Sequence, residues 1–89
     1  MAEQITITLR LSESLLCILR DTGSERPESI RITLQTDTTV KHILADQGIN
    51  PLLVPMVSLD QNGQSRRVDM YTPISSDGTL TLYGPLAGG

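Results

Sequence analysis

The sequence predicts one α+β domain, with an amphipathic helix packed on one face of a mixed sheet. Three observations carry that prediction. Segments of strict apolar–polar alternation lie at both ends of the chain, residues 5–11 and 79–83. A helical apolar stripe sits between them, at Val40, Ile43 and Leu44. Two strand-like segments precede the stripe and three follow it, an order that places a helix against a sheet rather than between parallel strands.

Ile5, Ile7, Leu9 and Leu11 alternate with Thr6, Thr8 and Arg10. A period of two with β-branched residues is the pattern of a half-buried strand. Leu15 to Leu19 is an apolar run too short to type by its period. Ser12 suits the cap of a helical turn there, and Asp21-Thr22-Gly23 suits its stop. Residues 24–29 are polar and contain Pro27, which reads as a loop. Ile30, Ile32 and Leu34 then alternate with Arg31, Thr33 and Gln35 as a second strand.

Asp37 or Thr38 is placed to cap the helix, and a carboxylate at that end also suits the helix dipole. The spacing of Val40, Ile43 and Leu44 at i, i+3 and i+4 predicts a helix over about residues 39–47. Gly48 supplies the left-handed residue that ends it, and Pro51 prevents its return. Val57 and Leu59 begin a third strand. Asn62-Gly63 is a strong hairpin signal, because both residues tolerate positive φ, and residues 66–69 form the return strand. Residues 71–76 read as irregular around Pro73. Asp77-Gly78 reads as a second tight turn before the final strand, where Leu80 and Leu82 alternate with Thr79, Thr81 and Tyr83.

The expected core is Ile5, Ile7, Leu9, Ile32, Leu34, Val40, Ile43, Leu44, Val57, Leu59, Leu80 and Leu82. For the first and last strands to share that core, they must be central neighbours. That arrangement is the β-grasp, or ubiquitin-like, architecture. The domain is assigned to residues 1–83 and a flexible tail to residues 84–89.

Composition narrows the function. The chain has 89 residues, is 38% apolar, and contains no Trp or Phe, so its core is aliphatic. Its net charge of −3 and its two aromatic residues suit neither phosphate neutralisation nor base stacking, and no nucleic-acid role is expected. Arg66-Arg67 reads as the solvated face of a hairpin. The lone Cys17 excludes a disulfide framework and a cysteine-rich metal site, and reads as a buried packing residue. His42 lies opposite the apolar stripe and reads as exposed, with no second histidine to share a metal. Asp69 and Asp77 read as turn residues rather than an acid–base pair. There is no charged leader followed by an apolar run and no stretch of ~20 apolar residues, so neither secretion nor a membrane span is expected. A reducing, cytoplasmic setting is the prediction.

The sequence closes on Gly88-Gly89. Without side chains, such an end passes a narrow enzyme channel and presents its carboxylate there. The run before it, Tyr83-Gly84-Pro85-Leu86-Ala87, reads as exposed. Fully extended, Gly84 to Gly89 reaches roughly 20 Å.

Taken in order, several segments resemble the small sulfur carrier proteins of the MoaD/ThiS type. They are Thr39-Val40, Ile43-Leu44, Gly48-Ile49, Asn62-Gly63, Val68-Asp69, Thr72-Pro73-Ile74, Asp77-Gly78 and the tail Pro85-Leu86-Ala87-Gly88-Gly89. The chain departs from that pattern at Thr79, at Asp60-Gln61 and at Ser75-Ser76, and matches it faintly over residues 12–29. The resemblance implies a protein substrate rather than an enzyme. A ubiquitin-activating-type adenylating enzyme would use ATP to adenylate the Gly89 carboxylate. Sulfur would displace the adenylate to leave a thiocarboxylate, and a sulfur-accepting synthase subunit would consume it in molybdopterin or thiamine biosynthesis. Length and the 12–29 segment lean toward the molybdopterin type. Tyr83, Gly84, Pro85, Leu86, Ala87 and Gly88 would form the partner-binding tail. No cofactor or metal would be bound by the chain itself. Two alternatives share these features. A ubiquitin-like modifier needs the same Gly-Gly end, although Lys41, the sole lysine, leaves little scope for self-linked chains. A β-grasp interaction module would use a sheet face or edge and carry an inert tail.

Overall fold

The alternating segment at the start of the chain forms strand β1, Gln4–Leu11, with Ile5, Ile7, Leu9 and Leu11 all buried. It runs parallel to strand β7, Gly78–Tyr83, with Leu9 opposite Leu80 and Leu11 opposite Leu82. The two strands expected to be central neighbours are therefore paired. The structure, a computed structural model, describes residues 3–21, 23 and 26–85.

Three further strands complete the main sheet. Strand β2, Ser29–Gln35, pairs antiparallel with β1. Strand β4, Met56–Gln61, pairs antiparallel with β7 and with strand β5, Gln64–Val68. The order across the sheet is β2-β1-β7-β4-β5. Asn62 and Gly63 take φ values of 52° and 77° in the β4–β5 turn, the left-handed pair that a two-residue hairpin needs. A second, two-stranded ladder pairs strand β3, Thr38–Thr39, with strand β6, Pro73–Ile74.

That small ladder moves the helix cap. Thr39 is held extended by its pairing with Pro73, and its Oγ1 accepts the His42 N–H at 3.3 Å. Helix α2 is Val40–Asp46, capped by Thr39 rather than by Asp37 or Thr38. Asp37 instead occupies a turn at φ 67°. At the other end Gly48, at φ 71°, donates to the Ala45 carbonyl, and Ile49 donates to that of Leu44. This double closure brings Ile49 into the core, the usual companion of such a cap.

The short apolar run after β1 is a full helix, α1, Glu13–Asp21. It buries Leu15 and Leu19, four residues apart on one face. Cys17 was expected inside that run and is in fact exposed. Two residues on a helix turn the chain by about 200°, so a residue midway between Leu15 and Leu19 faces outward. Replacing Cys17 with serine is therefore expected to shift stability by less than about 0.5 kcal/mol, measured as the denaturant midpoint.

Leu15, Leu19, Val40, Ile43 and Leu44 join the inward residues of the sheet in one buried cluster. Both helices thus cover the same face, and the other face is open. Ile32 and Leu34 were expected to be buried, but they are half-buried and pack against the cluster from its margin. Their strand, β2, lies at an edge of the sheet, where only one neighbouring strand covers them. Val68 and Ile74 are core residues that the sequence pattern did not reveal.

Asp77-Gly78 is not a tight turn. Asp77 Oδ1 accepts the Thr6 backbone N–H at 2.9 Å and ties the approach of β7 to β1. Gly78 opens the strand where a Cβ would lie 2.6 Å from the Asp60 carbonyl oxygen. Asp69 does act as a turn residue, its Oδ1 accepting from the Tyr71 N–H at 2.8 Å.

Candidate functional site

The point where β7 leaves the sheet is built from the end of one strand and the start of one helix. β7 is bonded on both sides, by β1 and β4, so its end is among the best-held parts of the backbone. Ser12, directly after β1, donates its N–H to the Leu82 carbonyl at 2.9 Å. Its Oγ accepts from the Leu15 N–H at 3.3 Å, capping α1, and from the Gly84 N–H at 3.0 Å. With both lone pairs engaged, its hydroxyl proton points to Ser14 Oγ, 3.2 Å away. One side chain thus starts the helix and holds the base of the tail.

Gly84 itself is buried, not exposed as the sequence suggested. A Cβ at this position would lie 2.7 Å from the Leu15 nitrogen and 2.8 Å from its Cα. Those are backbone atoms of a packed helix, so they cannot swing aside. Gly84 is the residue that lets the chain pass under α1. Tyr83 and Pro85, on either side, are half-buried. We expect Gly84→Ala to destabilise the domain by about 1–3 kcal/mol through overpacking. Ser12→Ala should cost about 0.5–2 kcal/mol through the lost cap. Urea unfolding followed by circular dichroism checks both.

Of the tail residues singled out from the sequence, Tyr83, Gly84 and Pro85 are placed. Leu86, Ala87, Gly88 and Gly89 lie outside the described residues. Ser12 was recognised only as a helix cap. Its second role depends on contact between residues 72 positions apart, which no local pattern displays.

The remaining candidates stay apart. His42 is exposed and lines a shallow groove of about 220 Å³ between β2 and α2, with Asp46 one turn away. Cys17 lies on α1 beside Glu13 and Arg20. Arg66 and Arg67 are exposed on β5, as expected of a hairpin. Among the described residues there is no group of three or more His, Cys, Asp or Glu placed to hold a metal ion. Among the same residues, no helix is long and apolar enough to cross a membrane.

No protein-family model and no curated protein sequence matches the chain. Solved structures do. The C-terminal ubiquitin-like domain of mouse tubulin-specific chaperone e aligns with a TM-score of 0.60 at 11% identity, over 99% of this chain and 93% of that one. The HVO 2177 protein of Haloferax volcanii aligns at 0.59 and 23% identity, over 97% and 88%. SAMP1 from Haloferax volcanii aligns at 0.57 and 20% identity, over 94% and 99%. At these identities the likeness concerns the fold. Together with the parallel pairing of β1 and β7 beneath α2, it shows that the chain has the ubiquitin-like β-grasp fold.

Proposed function

We propose that the chain is a sulfur carrier, a protein substrate whose Gly89 carboxylate becomes a thiocarboxylate. The carboxylate attacks the α-phosphorus of ATP on a partner adenylating enzyme, and pyrophosphate leaves. A hydrosulfide-level sulfur nucleophile then attacks the acyl carbon, and AMP leaves with the electron pair of the broken C–O bond. The thiocarboxylate passes to a sulfur-accepting synthase in cofactor biosynthesis of the molybdopterin or thiamine type. ATP belongs to the partner, and the chain itself holds no cofactor.

The observation that supports this reading is the seat of Gly84. A carboxylate delivered into another protein's active site needs a fixed origin and a slim end. The origin is Gly84, tied to Ser12 and closed in by Leu15, followed by Pro85 with its restricted φ. The slim end is Gly88-Gly89. Between them, Leu86 is the single large apolar side chain and suits a shallow partner groove. The four residues after Pro85 span at most about 14 Å, so the partner must approach the end of β7 closely.

Intact mass measurement of the full chain purified from its host tests the reading. The expected result is the mass gain of one sulfur replacing one oxygen. Fragmentation should locate that gain at Gly89, which separates it from oxidation of Met or Cys17. A chain joined through Gly89 to a lysine of another protein would replace the carrier reading with a modifier. An unaltered carboxylate throughout would favour an interaction module with an inert tail.

A further inference from the structure

The helices cover one face of the sheet, and the residues on the other face form a chemically distinct surface. We propose that this open face docks against an acidic protein surface, with Arg10, Arg31 and Arg67 as its charged contacts. The proposal rests on the carrier reading in one respect. The partner meeting this face is the one that receives the tail, because β7 crosses the face and leads directly to Gly84.

The sheet register assembles the surface. Arg67 lies opposite Ser58, Ser58 opposite Thr81, and Thr81 opposite Arg10. These four form one row across β5, β4, β7 and β1. With strands about 4.8 Å apart, the two arginines of the row are about 14 Å from each other. Arg31 faces Thr8, two residues before Arg10, so Arg31 and Arg10 are diagonal neighbours about 7–8 Å apart. All three arginines are exposed.

Acidic residues are fewer there than arginines. Of the ten Asp and Glu in the chain, the register of the five strands puts Asp60 on this face, and Asp77 reaches the β1–β7 seam through the Thr6 N–H. A chain with a net charge of −3 therefore carries a face with a cationic excess. Like charges set side by side on a sheet weaken it slightly. No carboxylate separates Arg10 from Arg31 in the register to relieve that repulsion. A complementary carboxylate-bearing partner would relieve it. The overall negative charge disfavours long polyanions, and Tyr83 is the single aromatic ring that the register puts on this face, too few to stack successive bases, so nucleic acid does not fit. A local acidic patch on a protein does.

Amide NMR of the isotope-labelled full chain, titrated with an oligoglutamate peptide, tests the proposal without any partner enzyme. Expected shifts centre on Arg10, Arg31, Ser58, Arg67 and Thr81, and they weaken as salt screens exposed charge. A triple variant, R10Q/R31Q/R67Q, should bind the peptide about tenfold more weakly, as loss of three exposed ion pairs implies, with its amide spectrum otherwise preserved. Shifts centred on the helices, or equal binding by the variant, would overturn the proposal. So would equal binding of a single-stranded oligonucleotide at the same residues. The Gly89 mass measurement decides the carrier reading separately. An unaltered carboxylate alongside a positive titration would remove the tail-receiving partner and leave the acidic-docking face standing. A thiocarboxylate alongside a negative titration would do the reverse.

Discussion

Leu44→Ala is expected to lower the stability of this domain by about 2–5 kcal/mol. Leu44 is 0% exposed and belongs to the buried face of α2. Its carbonyl accepts the Ile49 N–H at 2.9 Å, so the residue marks both the core face of the helix and its closure. Truncation removes apolar contacts and leaves a cavity in the buried cluster that Leu44 shares with Val40, Ile43 and the inward side chains of β1 and β7, which belong to well-paired strands and relax little. A domain of this size has a total stability of roughly 5–15 kcal/mol at most. Loss on this scale should bring the thermal midpoint down by many degrees and leave a measurable unfolded fraction at growth temperature. Urea unfolding of the wild type and the variant measures it directly. A change below about 1 kcal/mol would mean that α2 packs less closely than its burial indicates.

The same helix shows what can be read from a sequence of this kind. Val40, Ile43 and Leu44 were legible because a stripe at i, i+3 and i+4 has one structural meaning. The strands were legible where alternation lasted five residues or more, as in β1 and β7. Pro73-Ile74 was not, because a strand of two residues has no period, and Ile74 became a core residue only through its pairing with Thr38. Ile32 and Leu34 show the opposite limit. Their alternation was read correctly as a strand, but alternation does not tell an edge from a centre, and β2 turned out to be an edge. Cys17 was misplaced because an apolar run was read as a block. The helical turn separates it from Leu15 and Leu19.

At the candidate site the anchor of Gly84 was not legible. A glycine between Tyr83 and Pro85 looks like a loosening of the chain. Its actual reason is the close passage under Leu15, a contact 69 residues away in sequence. Likewise Asp77-Gly78 resembled a turn because the residue pair is common there. Its side chain and its missing Cβ serve two different neighbours, Thr6 and Asp60. The cationic face was legible in neither composition nor charge runs, since Arg10, Arg31 and Arg67 become neighbours only through the register of five strands.

Deleting Gly89 should abolish activation while leaving the fold intact. The argument runs from the fixed base outward. Gly84 and Pro85 set where the tail starts, so removing one residue withdraws the carboxylate by about 3.3 Å from wherever the partner's nucleotide site holds it. A misplacement of about 1 Å already costs roughly 100-fold in rate. Compensation from the base is blocked, because Gly84 is bonded to Ser12 and closed in by Leu15. Gly88→Val attacks the other requirement: it keeps the length but adds a β-branched side chain where a narrow passage admits none, and stiffens the backbone there. Neither glycine supplies an apolar side chain to the core, so both variants should unfold at the wild-type midpoint. ATP–pyrophosphate exchange with the adenylating partner supplies the activity, and the two variants should show background exchange only. Cys17→Ser, at an exposed helix position with no part in the adenylation step, should exchange normally. Wild-type exchange by the Gly89 deletion would place the reacting carboxylate elsewhere and remove the carrier reading.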